Sequence, residues 1–562
     1  MEKKNKLIIL GVIILLLVAS GLTFAILTWN STMIKLGINT NCFTINYAKG
    51  NNISGSLKLI NEEDLISNNK FTIKEGVGVS GVNIGINSNC SIEGYGNIIL
   101  NITNISSAFT TGSSKGALKY AVLKNTSTIT DPTQISTTSL LNQSFDIEKK
   151  GSIDTSGTLK LLTKQLSNTE LYKYIIVIYV DNNLAGNDVT SATFQGNISA
   201  DATQGKLDLA KETLNKLNSL NSTITLASGT PDFTTVSGSN GVKYVNKSQS
   251  ATGLGDGTKG IYAAEDDLGT SYYFRGAVDN NYVKFAGLYW RIIRINGDGT
   301  IRMIYAGTSA HANGESETDS YIGETAYNSS SNDNTYVGYM TGSTGATTYV
   351  SAHSNTNNST IKGVIDTWYK TNIVDKGYSS YVADAIYCND RSIANDSATN
   401  TMLTKVNPSW TNTGFGYGTN VTAYGGFKRN WVDHTPSLKC PNNNDKFTTD
   451  STLGNGKLTY PVALITSDEI AYAGGFSYDY NTRSYIANKE FYLHTPSYFY
   501  WTLTPWAFAG GYSGVGYWLS AGFLDGYFVS NRGDIAARAA VSLLSNAITG
   551  GNGTMNDPFT VG

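Results

Sequence analysis

A run of 23 uncharged residues, Leu7 to Trp29, follows lysines at positions 3, 4 and 6 and constrains everything after it. As a helix rising about 1.5 Å per residue it would cover about 34 Å, enough for a hydrocarbon core of about 30 Å. The lysines favour the cytosolic side, which sends the rest of the chain outward. A buried core helix is the poorer reading, because the run has no polar face. The apolar part of a signal peptide spans only about 7–15 residues. The expectation is therefore a retained single-pass anchor over residues 1–29, in the cell membrane through residues 7–29, with the C-terminal part extracellular. Cleavage among the small residues near Ser20 and Ala25 would instead release a secreted protein.

With 562 residues, 40% of them hydrophobic, the exported part can build two or three real cores. Only 15% of residues are charged and the net charge is −2, so there is no electrostatic footprint for nucleic acid. Abundant Asn, Ser and Thr with 58 Gly and 35 Tyr suit a β-rich exported chain. Cys42, Cys90, Cys388 and Cys440 fall into two pairs, 48 and 52 residues apart, which reads as one disulfide per domain. No metal or cofactor is expected: Cys-X-X-Cys is absent, and His311, His353, His434 and His494 lack ligand spacing.

Residues 30–203 alternate in short stretches between Gly, Asn and Ser, as in Tyr174-Ile-Ile-Val-Ile-Tyr-Val, which predicts an antiparallel β-sandwich. Leu207, Ala210, Leu214 and Leu217 recur at helical spacing, and a Ser/Gly/Asn-rich stretch follows, so residues 204–260 read as a helix and linker. A second folded domain, α+β, spans 261–562. Tyr289-Trp-Arg-Ile-Ile-Arg-Ile, Asn296-Gly-Asp-Gly and Thr300-Ile-Arg-Met-Ile-Tyr predict a hairpin whose Asn296 and Asp298 are turn residues. Ser359 caps one expected helix, and Ser467 a second that ends at Gly474-Gly475.

Several stretches then become recognisable: Ala264-Glu-Asp-Asp-Leu-Gly-Thr-Ser-Tyr-Tyr-Phe-Arg-Gly, Val382-Ala-Asp-Ala-Ile-Tyr-Cys-Asn-Asp-Arg, Tyr460-Pro-Val-Ala-Leu-Ile-Thr-Ser-Asp-Glu-Ile and Gly550-Gly-Asn-Gly-Thr-Met-Asn-Asp-Pro-Phe. They resemble a family of uncharacterised bacterial surface proteins. The resemblance covers about residues 260–562 and implies a C-type-lectin-like domain, related in shape to formylglycine-generating enzymes and to the variable proteins of diversity-generating retroelements. It also implies a ligand surface on the segment before the last strand. Where that family has Gly-Val-Arg-Pro, this chain has Ala536-Ala-Arg-Ala, which keeps Arg538 and loses the proline. Arg538 is read as structural. The N-terminal sandwich more loosely resembles small exported β-domains of Gram-positive-type bacteria.

The implied surface is rich in rings among glycines and serines, the composition of a recognition face. The candidate ligand-binding residues are Tyr498, Tyr500, Trp506, Tyr512, Tyr517, Phe523, Tyr527, Asn531 and Arg532. Tyr512, Tyr517 and Tyr527 sit beside glycine and are the ones expected outside; core packing is an equal reading for Trp506. Arg532 opens an Arg-Gly-Asp tripeptide that a turn explains as well as adhesion does. No catalytic residue is assigned. Formylglycine-type chemistry needs paired cysteines late in the domain, and none follows Cys440. The expected function is that of a membrane-anchored adhesin or receptor for an extracellular glycan or protein. The alternatives are a cell-envelope enzyme or accessory, and a structural envelope protein.

Overall fold

The computed structural model describes residues 26–28, 42–47, 57–87, 90, 92–167, 170–204, 208–228, 231, 233, 244–246, 259–481, 483–486, 491–530 and 533–562. The chain is mainly β and divides into two compact units, Met1–Leu207 and Asp208–Gly562. Among the described residues no helix is long and apolar enough to cross a membrane. Of the apolar run at 7–29 only Ile26–Thr28 is described, and it is a strand paired antiparallel with Phe194–Gln204, so at that end the expected helix gives way to sheet. The rest of the proposed anchor lies outside the described residues.

In the first unit, one sheet runs Ile26–Thr28, Phe194–Gln204, Gly94–Ile105, Gly157–Leu166. A second, larger sheet has Leu171–Asp181 between Gly78–Ile86 and Leu118–Lys124. Period-2 alternation places Tyr174, Ile176 and Ile178 in a core with Ile98 and Leu100 of the other sheet. Ile175, Val177 and Tyr179 point the opposite way, into a separate core with Leu65, Phe71 and Phe145. The unit thus has a sandwich core and a further apolar layer behind it. This explains why the Tyr174–Val180 stretch is apolar at every position rather than at alternate ones. Cys42 and Cys90 form the expected disulfide here.

The second unit begins with the helix Leu209–Leu220, which the spacing anticipated. Asp208 caps it by accepting from the Lys211 N–H at 2.7 Å, and Ala210, Leu214 and Leu217 pack into the second unit's own core. The chain just past it is also held there, through the Ala227 N–H donating to the Ile261 carbonyl at 2.7 Å. The Asn296 turn joins Leu288–Ile295 to Ile301–Gly307, with Asp298 accepting from the Thr300 N–H at 2.9 Å. The last strand, Phe559–Val561, returns to lie parallel with Tyr282–Phe285 near the start of the unit.

Ser359 caps Thr360–Tyr369 as expected. The cap of Ser467–Ala473 is Thr466 rather than Ser467: Thr466 and Glu469 form a reciprocal capping box. That helix stops at Gly474, whose φ of +117° costs a glycine nothing sterically. Cys388 and Cys440 form the second disulfide.

Candidate functional site

The ring-rich segment is mostly interior. Tyr500–Ala509 is a central strand, paired with Tyr512–Leu519 on one side and Thr422–Tyr424 on the other, and every residue in it is buried. Tyr498, Tyr500, Trp506, Tyr517 and Phe523 are all below 8% exposed; Tyr517, expected outside, is thus in the interior, and Trp506 takes the core reading given equal weight in the sequence. Their polar tips are used inside: the Tyr500 hydroxyl donates to the Leu493 carbonyl at 3.1 Å, and Tyr498 bonds to Ser320. Among the described candidates Tyr512 alone is exposed, at 43%; Tyr527 is half-buried. Asn531 and Arg532 lie outside the described residues.

The interleaved glycines have a packing cause. A Cβ on Gly526 would stand 2.2 Å from the Trp506 ring and one on Gly514 3.0 Å from it, so both strands leave a flat seat for that indole. Gly475 does the same under Trp518, at 2.8 Å. Aromatic residues alternating with glycine therefore build a core here. Arg538, read as structural, is buried and donates from Nη2 to the Tyr305 carbonyl at 3.0 Å.

A second feature is a polar cavity of about 30 Å³ beside the Cys388–Cys440 disulfide. Arg294 donates to Glu469 at 3.0 Å and to Asp266 at 2.8 Å, and Arg302 stands 3.7 Å from Glu469. Arg429 grips Asp468 with two bonds of 2.8 and 3.0 Å and also reaches Asp390. Burial pushes the Glu469 carboxyl up, but Arg302 and Arg294 outweigh it and hold it below the usual carboxylate range. The acids and bases here neutralise one another in contact pairs, and the space is that of about one water molecule. The arrangement fixes the capped helix Ser467–Ala473 to the sheet.

The exposed rings lie elsewhere. Segments 334–352, 408–427 and 505–524 contain no charged residue, and contacts link them, Asn334 to Gly418 and Trp410 to Gly510. Their hub is the turn at Asp333-Asn334. Asn334 is fully buried, and its amide donates to the carbonyls of Gly418 at 2.9 Å and Asn420 at 2.8 Å. Asp333 accepts from the Gly345 N–H at 2.7 Å, and its carbonyl accepts from the Ser513 hydroxyl at 2.6 Å. His353 bonds to the Gly416 carbonyl at 2.9 Å; its burial, first, and then Arg391 push its pKa well below the usual imidazole value, so it acts here as a neutral structural group.

This frame holds the stretch Gly414-Phe-Gly-Tyr-Gly418, in which all three glycines have positive φ, between +56° and +69°. That backbone brings Phe415 and Tyr417 face to face, centroids 5.8 Å apart and planes within 21°. Phe415 is 51% exposed. Nearby, Trp410 covers Gly510, and the exposed Tyr512 packs against Phe528 at 4.9 Å. Phe415 and Tyr417 were not among the sequence candidates; a neighbouring glycine, the signal that singled out Tyr512, was present at 414–418 as well.

In comparisons with known proteins the sequence matches no protein-family model and no curated protein.

Proposed function

We propose that this chain is an exported, membrane-anchored recognition protein that binds an extracellular glycan or protein non-covalently, through the loop cluster around Phe415 rather than through the buried rings of 498–528. On this reading the second unit is a C-type-lectin-like platform and the first carries it away from the membrane. The observation that supports it best is the Phe415–Tyr417 stack: a half-exposed phenyl ring on a loop locked by buried hydrogen bonds. An exposed ring on a frame that is already ordered gives a contact surface that costs little entropy to use. The two disulfides support an oxidising, extracellular setting.

The test is a binding screen of the full chain against immobilised glycans and intact cells, beside a Phe415→Ala/Tyr512→Ala double variant. Binding that drops in the variant supports the reading; a ligand bound equally by both proteins counts against it. A structural envelope role is the second reading, favoured by the burial of Tyr498, Tyr500, Trp506, Tyr517 and Phe523. It would be preferred if the intact chain binds nothing in the screen.

A further inference from the structure

Resting on that reading, we infer that the ligand of the loop cluster is a neutral glycan, with a sugar ring seated on the exposed face of the Phe415 ring. The first argument is what the three segments lack. From 408 to 427 the chain offers no Lys, Arg, Asp or Glu, and the same holds for 334–352 and 505–524. A phosphate, sulfate or uronate group needs cations or bidentate arginine for tight capture. Nucleotides also stack on aromatic rings, but single-strand binding adds a cationic groove for the backbone. Protein interfaces enrich arginine beside their aromatic anchors, and these segments supply none. An uncharged polyol has none of these requirements.

The second argument is what the cluster supplies. A pyranose presents a flat patch of C–H groups flanked by hydroxyls, so it suits an exposed ring bordered by neutral donors and acceptors. Phe415 provides the ring, and Thr411, Thr413 and Thr419, all exposed, lie within four positions of it in the chain. The third argument is preorganisation. The Phe415 ring is already stacked on Tyr417, and the Asn334 amide already holds the turn at 418–420, so little order remains to be imposed on binding.

The test uses the full chain, titrated with a panel of neutral polysaccharides (glucan, mannan, galactan) and a panel of anionic ones (a polyuronate, a sulfated glycan, a polyol phosphate). Each is measured in about 0.05 and about 1 M NaCl, where screening lengths differ severalfold. The expected result is binding of at least one neutral polymer, with affinity changed less than about twofold by salt. Phe415→Ala should weaken it about tenfold, the size of one lost stacking contact, and Phe415→Trp should retain it. Thermal unfolding of both variants confirms the fold, since Phe415 is half outside. Binding restricted to the anionic panel and abolished by salt overturns the inference. So does binding to no glycan at all; if cell or protein binding is still lost in Phe415→Ala, the recognition reading stands and only the ligand class falls. If Phe415→Ala changes binding to nothing that the intact chain binds, both fail.

Discussion

The Tyr424 hydroxyl donates to the Asn334 side-chain carbonyl at 2.6 Å, wholly inside the second unit. That bond orients the amide so that its NH₂ group faces the carbonyls of Tyr417, Gly418 and Asn420. One buried side chain thereby joins a core tyrosine to the turn beside the exposed Phe415 and the half-buried Tyr417. The hydrogen bonds that hold the loop at 414–420 thus originate in the core rather than in the loop's own sequence.

Asn334→Asp should be more damaging than its near-identical shape suggests. The carboxylate would face three carbonyl oxygens with no hydrogen to offer. Leaving buried carbonyls unsatisfied costs about 1–3 kcal/mol each, so a loss of about 3 kcal/mol or more is expected in urea unfolding. A loss below about 0.5 kcal/mol would show that the hub does not hold the turn.

Glu469 joins the capping box to the buried arginines, accepting from the Thr466 N–H at 2.9 Å and from Arg294 at 3.0 Å. Glu469→Gln keeps the shape and removes the charge, which takes from Arg302, 2% exposed, the carboxylate that stands 3.7 Å from it. Breaking a buried ion pair from one side costs about 3–5 kcal/mol. The midpoint of chemical unfolding should fall accordingly, and Arg302→Met combined with Glu469→Gln should recover part of the loss in a double-mutant cycle.

The disulfides close separations of 48 and 52 residues. Each is worth about 4 kcal/mol on the chain-entropy account. Cys388→Ser/Cys440→Ser should therefore lower the stability of the second unit by about that amount while leaving the unfolding of the first unit unchanged. Urea unfolding followed by tryptophan fluorescence reports this selectively, because all described tryptophans of the folded units lie beyond residue 208.

What could be read in the sequence was local. The Asn296 hairpin, the Ser359 cap and the Leu209–Leu220 helix each depend on residues within a few positions of one another, and their patterns survive in the fold. The burial of the ring-rich segment is not legible in composition, which cannot tell a central strand from an edge. Its burial is decided by distant partners, such as Thr422 beside Phe508 and the Thr325 carbonyl that accepts from Trp501 at 2.9 Å. The loop cluster escaped notice for the same reason: the bond from Asn334 to Gly418 spans 84 residues. Half of its signal, the glycine-flanked rings at 414–418, was nonetheless present in the sequence.

Acid sensitivity should have an identifiable contribution from Asp319. Burial pushes its carboxyl up, but hydrogen bonds from Thr308 and His311 outweigh it and hold it at about 2. In an unfolded chain the same group titrates near about 4. A depressed folded pKa means the contribution is fully present above about pH 4 and is lost as pH falls toward about 2. Asp319→Asn should lower stability at pH 7 and flatten the decline between pH 4 and 2. An unchanged slope would place the acid sensitivity on other carboxylates.

Gly526→Ala tests whether glycine in the ring-rich strands serves packing. The position does not need a left-handed backbone, and alanine is the better residue for a strand interior on conformational entropy. On propensity alone the substitution should stabilise. The added carbon would, however, stand 2.2 Å from the Trp506 ring, itself wedged against Phe427 at 5.5 Å and Trp410 at 6.2 Å. Relief requires either the indole or the Phe523–Phe528 strand to shift, and overpacking of this kind costs about 1–3 kcal/mol. The expected outcome is a lower unfolding midpoint with altered near-ultraviolet circular dichroism from Trp506, partly restored by Trp506→Phe in the same chain. A neutral or stabilising effect would mean that the strand has slack, and that the glycines of this segment serve something other than the core.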